Sequence, residues 1–129
     1  MIRTLIVDDE PMARRRLRRM LGAFPDVTVV DEAENGPGAI SGIESAKPDL
    51  LFLDIQMPDL DGFGVLKMVD KQILPLTVFV TAHDKYAIDA FEVNAIDYLL
   101  KPIRRVRLDQ ALARVRDMLG ARTTAADRL

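Results

Sequence analysis

Three acidic residues, one hydroxyl and one amine occur at the ends of short apolar runs in this sequence. Asp8 and Asp9 follow the first run, Asp54 follows the third, Thr81 closes the fourth and Lys101 follows the fifth. Carboxylates that lie close together raise each other's pKa unless a cation lies among them, and Mg²⁺ prefers such oxygen ligands. A carboxylate, a divalent cation, a lysine and a hydroxyl together supply what phosphoryl transfer needs.

The apolar runs alternate with segments of helical spacing along the chain. Strands are predicted at 2–7, 27–30, 50–53, 76–81 and 96–100. Helices are predicted from 11 to about 23, at 85–93 and from 104 to about 119. Two further helices, after the second and third strands, are predicted to end near 46 and near 71. Such alternation predicts a parallel sheet with helices on both faces. Ligands of these sheets bind at the carboxyl ends of the strands, where the five chemical groups lie.

Length and composition predict one ordinary globular domain. The chain has 129 residues, of which 49% are hydrophobic, and it has no cysteine. The missing cysteines favour a reducing compartment and exclude a thiol nucleophile, so we expect a cytoplasmic location. No apolar run is long enough for a membrane span, and no signal-peptide pattern is present. We expect a domain at 1–120, and the start of a linker at 121–129.

Charge is segregated along the chain. Residues 1–24 carry six arginines against three acids, and residues 25–100 carry four lysines against fourteen acids. The densest basic run is 14–19, with Leu17 at helical spacing from Leu21. The run is typical of a solvated helix face whose arginine stems cover apolar surface. Direct nucleic-acid binding through this run remains an alternative, to be tested by salt-sensitive binding to duplex DNA.

The motifs together resemble the receiver domain of two-component response regulators over about residues 1–120. The resemblance implies a flavodoxin-like α/β fold: a doubly wound five-stranded parallel sheet of order 2-1-3-4-5 with five helices. The segment 79–102 is similar to receivers that precede a LytTR-type DNA-binding domain. The motifs that carry the resemblance are Asp8-Asp9, Asp54 within 51–62, Thr81-Ala82 and Lys101-Pro102.

The resemblance implies a phosphoacceptor that assists its own phosphorylation and dephosphorylation, and not an enzyme. Asp54 is then the acceptor, and a phosphohistidine of a sensor histidine kinase is the donor. Asp9, Asp54 and the backbone carbonyl of Gln56 would bind Mg²⁺ directly, and Asp8 would act through water. Lys101 would pair with one phosphoryl oxygen.

The resemblance also assigns a switch. Thr81 would move its hydroxyl onto another phosphoryl oxygen, and Tyr98 would rotate into the space that Thr81 leaves, although a half-buried strand aromatic is the plain alternative. The peptide bond before Pro102 is expected to be cis. Gln56 and His83 occupy positions that tune the lifetime of the phosphate in this family.

Dimerisation upon phosphorylation is a further expectation. The segment 85–93 is more apolar than one helix stripe requires, so part of it should be exposed and available to a partner. DNA would be bound only through an output domain that this sequence lacks. The candidate interface residues are Tyr86, Ala90, Phe91, Arg104 and Arg107.

Two other functions compete with a transcriptional switch. A stand-alone receiver would relay phosphoryl groups without an output domain. A phosphatase of the haloacid-dehalogenase kind also uses an aspartate nucleophile with Mg²⁺, but it has a second aspartate two residues later, where this sequence has Gln56.

Overall fold

A computed structural model describes residues 1–86, 89–90 and 93–127 of the chain. The strands are β1 (Ile2–Val7), β2 (Val27–Ala33), β3 (Leu50–Asp54), β4 (Leu76–Thr81) and β5 (Asp97–Leu100). The α-helices of this part of the chain are α1 (Pro11–Leu21), α2 (Gly36–Ala46), α3 (Gly62–Met68) and the C-terminal helix α4 (Arg105–Asp127). Short 3₁₀ turns lie at Lys71–Ile73 and Asp84–Tyr86.

The five strands form one parallel sheet in the order β2-β1-β3-β4-β5, which confirms the predicted topology. Val7 pairs with Leu53, and Thr81 pairs with Leu100. In this register the residues that follow β1, β3, β4 and β5 lie at one edge of the sheet. The fold therefore brings the acidic, hydroxyl and amine groups of the sequence to a common place.

Each face of the sheet carries its own apolar core. On one face, Phe52 packs with Leu17 of α1 and Leu112 of α4. On the other face, Phe79 packs with Ile43 of α2 and the apolar side of α3. Every residue of β3 is buried, as expected for a central strand covered on both faces. Helices on both faces hold the carboxyl end of β3 in a fixed position.

The start of α3 lies unusually close to the end of β3. The Asp61 side chain caps α3 by accepting a hydrogen bond from the Gly64 backbone N–H at 2.8 Å. The next residue, Gly62, donates its N–H to the Ile55 carbonyl at 2.9 Å. A Cβ at Gly62 would lie 2.7 Å from the Asp54 carbonyl oxygen, so only glycine fits here.

Several predicted boundaries are wrong. Helix α3 ends at Met68 instead of near residue 71, because Asp70 accepts a hydrogen bond from the Gln72 N–H and begins a separate 3₁₀ turn. Strand β2 extends to Ala33, because pairing with β1 outweighs the low strand propensity of its acidic end. Helix α4 continues to Asp127 instead of ending near 119, because residues 121–127 include no helix-breaking proline.

The helix predicted at 85–93 falls on a segment that is described only in part. Residues 84–86 form a 3₁₀ turn, and residues 89 and 90 are helical. Residues 87, 88, 91 and 92 lie outside the described residues. Four α-helices are therefore found in the described part of the chain, against five predicted.

Candidate functional site

Asp54 and Asp8 form the floor of a pocket at the carboxyl edge of the sheet. Asp54 ends β3 and is 3% exposed, and Asp8 follows β1 and is 5% exposed. The carboxylate oxygens of Asp8, Asp9 and Glu10 lie within 4.8 Å of one another. Two buried carboxyl groups and two more exposed ones thus converge, which concentrates negative charge.

Lys101 supplies the positive charge of this pocket. Its Nζ lies 2.8 Å from Asp8 Oδ2, 3.1 Å from Glu10 Oε1 and 3.8 Å from Asp54 Oδ2. Burial acts to lower the pKa of Lys101, but the hydrogen bond to Asp8 and the charge of Asp54 raise that pKa above its usual value. Lys101 is therefore an ammonium at neutral pH, and the Lys101-Pro102 bond that follows it is cis.

One ammonium group does not balance the acidic groups around Asp54. Burial and then the charge of Asp8 raise the pKa of Asp54 to about 7, although Lys101 acts in the opposite direction. The Lys101 ammonium therefore offsets only part of the effect of burial and of the neighbouring carboxylates. Clustered carboxylate oxygens are the donor set of a hard divalent cation, so the residues present fit Mg²⁺.

Thr81 lies beside this pocket at the end of β4 and is fully buried. Its hydroxyl oxygen accepts a hydrogen bond from the His83 N–H at 3.3 Å, and its carbonyl accepts one from the Lys101 N–H at 2.8 Å. The second bond fixes the start of the Lys101 loop against the end of β4. Thr81 and Lys101 thus have the neighbouring positions that the sequence predicts.

The rim of the pocket is formed by the loops after β3 and β4. The Gln56 N–H donates to Asp54 Oδ1 at 3.3 Å, and the Gln56 side-chain amide donates to the Tyr86 hydroxyl at 3.2 Å. The Tyr98 hydroxyl donates to the His83 carbonyl. Burial raises the pKa of Tyr98 above its ordinary value. Tyr98 is half-buried on β5, as both predicted alternatives required.

Two residues of the site escaped the sequence analysis. Glu10 binds Lys101 together with Asp8, and the run of three acids after β1 was the available signal. Tyr86 was predicted only as an interface residue, but its hydroxyl bonds Gln56 at the rim. That bond joins residues thirty positions apart, so no local spacing could indicate it.

The predicted apolar interface is wrong in part. Ala90 is 2% exposed and belongs to the apolar core on the face of the sheet that carries α2 and α3. Tyr86 and Val93 also pack against that core. These side chains complete the second core because α2 and α3 leave this part of the sheet uncovered. Phe91, the remaining apolar candidate, lies outside the described residues.

The two arginines of the predicted interface behave differently. Arg104 is exposed, whereas Arg107 is held by Asp97 at 2.9 Å and by the Tyr98 carbonyl at 3.2 Å. The exposed apolar residues nearby are Leu100 on β5, 47% exposed, and Val106 on α4, 66% exposed. Exposed apolar surface is therefore also present on β5 and α4.

The arginine run of α1 is largely bonded within the domain. Arg14 donates to the Asp8 carbonyl at 2.6 Å, and Arg16 donates to the Ile103 carbonyl at 2.9 Å. Arg18 pairs with Glu32 at 2.5 Å. Three of the five arginines therefore tie α1 to the rest of the domain, which favours a structural role over nucleic-acid binding for most of the run.

Comparisons with known proteins agree with this architecture. Residues 4–113 match the family model of the response regulator receiver domain. The transcriptional regulatory protein BtsR of Escherichia coli strain K12 is 50% identical over 116 residues, which are 90% of this chain and 48% of that protein. The chain belongs to the response regulator receiver domain family. It is thus a signalling domain of the two-component type, and it spans about half the length of the curated relatives it matches.

Solved structures give the same result. The REC domain of AraT, a response regulator from Geobacillus stearothermophilus, is 32% identical with a TM-score of 0.83 and covers 95% of this chain and 99% of that one. The response regulatory domain of protein mrkE from Klebsiella pneumoniae is 29% identical with a TM-score of 0.77 and covers 98% and 99%. No helix within the described ranges is long and apolar enough to cross a bilayer.

Proposed function

We propose that Asp54 of this receiver domain accepts one phosphoryl group from a phosphohistidine of a sensor histidine kinase. The observation that carries the proposal is the position of Asp54, buried at the end of β3 with the Lys101 ammonium 3.8 Å from its carboxylate. A buried acceptor next to a fixed cation provides an attacking oxygen and a partner for the charge of the phosphoryl group.

The transfer proceeds from the Asp54 carboxylate. A carboxylate oxygen attacks phosphorus, the phosphorus–nitrogen bond of the phosphohistidine breaks, and the released imidazole takes up a proton. Lys101 pairs with one phosphoryl oxygen, and the Thr81 hydroxyl rotates from its bond with the His83 N–H onto another. Since burial raises the pKa of Asp54 to about 7, ionisation of this group is part of the activation.

A divalent cation completes the site in this proposal. Asp9, Asp54 and the backbone carbonyl of Gln56 would bind Mg²⁺, with Asp8 acting through water. Mg²⁺ supplies positive charge that stabilises both the ionised carboxylates and the phosphoryl oxygens. The carboxylate oxygens of Asp8, Asp9 and Glu10, which lie within 4.8 Å of one another beside Asp54, support this assignment.

A groove beside the pocket supports a kinase as the partner. The groove has a volume of about 580 Å³ and lies between α1 and the Lys101 loop. Met12 and Pro102 give it apolar surface, and Arg15 and Arg19 give it positive charge. A helix with apolar and acidic residues fits such a groove and would bring its histidine to the edge of the sheet.

We further propose that the phosphorylated domain dimerises and regulates a LytTR-type DNA-binding output domain. The similarity of 79–102 to such receivers, and relatives that are named transcriptional regulators and are twice as long, support this over a stand-alone relay. Gln56 in place of a second aspartate argues against the phosphatase.

Intact mass measurement tests the proposal. We expect the domain to gain one phosphoryl group when it is incubated with Mg²⁺ and a small acyl phosphate, and we expect no gain for Asp54→Asn. Asp59→Asn is the matched control, because Asp59 is an exposed loop residue of the same charge, and this variant should gain the group normally. Equal gain by Asp54→Asn and the parent would contradict the assignment.

A further inference from the structure

A hydrogen bond from α1 reaches the loop that carries Lys101. Arg16 donates from Nη2 to the Ile103 carbonyl at 2.9 Å, and the two residues are 87 positions apart in the sequence. The Lys101 loop, residues 101–104, leads from the end of β5 at Leu100 to the start of α4 at Arg105. Ile103 is thus two residues beyond Lys101, in a stretch that is neither helix nor strand.

The backbone around Lys101 is held on two sides. The Lys101 N–H donates to the Thr81 carbonyl at 2.8 Å, which joins the start of the loop to β4. The Ile103 side chain is buried in the apolar core that also contains Leu17 of α1. Because that side chain is already fixed, the bond from Arg16 to the Ile103 carbonyl sets the direction of the peptide group that follows. Each such bond removes backbone alternatives, so Arg16 helps to determine the path of the loop.

The path of the loop matters because the Lys101 ammonium has competing partners. Nζ lies 2.8 Å from Asp8 Oδ2 and 3.1 Å from Glu10 Oε1, but 3.8 Å from Asp54 Oδ2. In the proposed function the same ammonium pairs with a phosphoryl oxygen on Asp54. Charge-assisted hydrogen bonds weaken steeply when their geometry is lost, so a loop that is free to shift would leave the ammonium with Asp8 and away from the phosphoryl oxygen.

We propose that Arg16 is a positioning residue, which holds the Lys101 loop so that the ammonium reaches the phosphoryl group on Asp54. The inference rests on the proposed function and adds a residue of α1 to it. Arginine suits this role because its planar guanidinium donates in a fixed direction and stays charged at every working pH. Since Arg16 binds the backbone of the loop at Ile103, its effect on the phosphoryl group passes through Lys101.

Beryllofluoride separates this role from a general effect on the pocket. Its fluorides stand in for phosphoryl oxygens and need Lys101, whereas Mg²⁺ alone is bound by the acidic groups. Arg16→Met keeps an apolar stem and removes the donor. In calorimetric titrations at saturating Mg²⁺, we expect this variant to bind beryllofluoride about three- to tenfold more weakly than the parent, because a misplaced ammonium contributes less. Its affinity for Mg²⁺ alone should stay within about twofold, because Arg16 is exposed and its charge is screened by salt.

Two other arginines give matched controls. Arg3→Met removes the same kind of bond, from Nη1 to the Ala46 carbonyl at 2.6 Å, near the start of β1 at the amino edge of the sheet. Arg18→Met removes one positive charge from the same helix, where Arg18 pairs with Glu32. Both variants should bind beryllofluoride as the parent does. Arg16→Lys keeps a charged donor and should regain most of the affinity that Arg16→Met loses.

Fluorine NMR of the bound beryllofluoride gives a second readout. The Lys101 ammonium polarises the fluoride next to it, so the signal of that fluoride should shift in Arg16→Met and stay in place in Arg3→Met. Loss of stability alone would shift neither signal, although both variants should unfold at lower urea concentrations than the parent.

Several results would overturn the inference. Equal beryllofluoride affinities of the parent and Arg16→Met exclude a positioning role. An equal loss in Arg18→Met, or an equal loss of Mg²⁺ affinity in Arg16→Met, shows a general effect of charge or structure. An unmoved fluoride signal excludes action through Lys101. Should Arg16→Met not fold, Arg16→Gln is measured in the same way, with the same expected loss. A parent domain that binds no beryllofluoride with Mg²⁺ refutes the proposed function instead, so the two failures are distinguishable.

Discussion

The carboxyl group of Asp54 is subject to two opposing requirements. Burial at the end of β3 would protect the proposed acyl phosphate, but the same burial, together with the charge of Asp8, raises the pKa of Asp54 to about 7. In the proposed transfer the Asp54 carboxyl group must be ionised, and among the described neighbours only Lys101 offsets the cost with a full positive charge. The proposed cation and phosphoryl group would satisfy both requirements.

The raised pKa predicts a pH-dependent gain in stability for Asp54→Asn without divalent cations. Asp54 of the folded domain keeps its proton up to about pH 7, whereas a carboxyl group in the unfolded chain loses it near 3.8. The folded parent therefore loses stability as pH rises from about 4 to 7, and the loss is complete above 7. Because asparagine does not titrate, the variant should be more stable by about 1–2 kcal/mol at pH 8, after allowance for solvent screening.

Urea unfolding at pH 4 and pH 8 in a chelator measures this effect. The two proteins should have nearly equal free energies of unfolding at pH 4, and the parent should regain stability at pH 8 when Mg²⁺ is added. Titrating groups far from Asp54 are common to both proteins and cancel in the difference. A stability difference independent of pH would contradict the raised pKa.

Most residues of the pocket could be predicted because each ends a strand or directly follows one. Asp8, Asp54, Thr81 and Lys101 needed only the order of the elements and the rule that parallel strands present their carboxyl ends at one edge. Tyr86 could not be predicted in the same way. Its partner Gln56 lies on a different loop, and two loops meet only through the packing of side chains in three dimensions.

At the scale of the elements, the approach of α3 to β3 predicts a costly Gly62→Ala substitution. The added methyl group would lie 2.7 Å from the Asp54 carbonyl oxygen and 3.2 Å from the Phe79 ring. Backbone on one side and a packed ring on the other cannot yield, so we expect a loss of about 2 kcal/mol in the free energy of unfolding. Phosphoryl uptake should also slow, because the end of β3 must shift.

Gly120→Ala is the matched control for this substitution. A methyl group at Gly120 would have no neighbour within 4 Å, and the residue lies within α4. We therefore expect a gain of about 0.5–1 kcal/mol from helix propensity alone, with normal phosphoryl uptake. Equal effects of the two substitutions in urea unfolding would contradict a steric role for Gly62.

Asp97 links β5 to α4 through two arginines. This buried carboxylate lies 2.9 Å from Arg107 and 3.1 Å from Arg114. Removing its charge leaves both arginines without that partner, so Asp97→Asn should lower the free energy of unfolding by about 1–3 kcal/mol. Asp109→Asn should cost less than about 0.5 kcal/mol, because the pair of Asp109 with Arg105 is exposed and 3.9 Å long. Equal losses in thermal unfolding would refute the link.

The interiors of the elements could be predicted, and so could both ends of β1 and β4, whereas several other ends could not. The uninterrupted apolar run of β3 and the spacing around Leu17 reflect burial, which the sequence encodes directly. The end of α3 depends on a cap at Asp70, and the end of β2 depends on pairing with β1. In both cases local and tertiary interactions compete, and the sequence pattern alone does not show which of them determines where the element ends.

At the scale of the whole molecule, the exposed apolar residues of β5 and α4 predict the location of the proposed dimer interface. Leu100 lies beside Arg104, and Val106 is an exposed residue in the first turn of α4. In sedimentation experiments with Mg²⁺ and beryllofluoride, we expect the parent to dimerise and Val106→Glu to remain monomeric, because a buried unpaired charge opposes association.

Met68→Glu is the control for this experiment. Met68 is exposed to the same degree but lies on α3, against the opposite face of the sheet. The variant should dimerise like the parent. A parent protein that stays monomeric with beryllofluoride bound would contradict dimerisation. A Val106→Glu variant that still dimerises would show that the interface does not include Val106.

Helix α4, with 23 residues, is the longest helix in the described part of the chain. Phe24 lies beneath the guanidinium groups of Arg105 and Arg116, so the first half of the helix rests on this residue. Leu119 packs on the core that contains Phe24, and the helix continues to Asp127. Twenty-three residues make a rod of about 34 Å, so a tilt of about 5° at its base displaces its tip by about 3 Å. Small rearrangements beside Lys101 thus become large displacements at the far end of the rod.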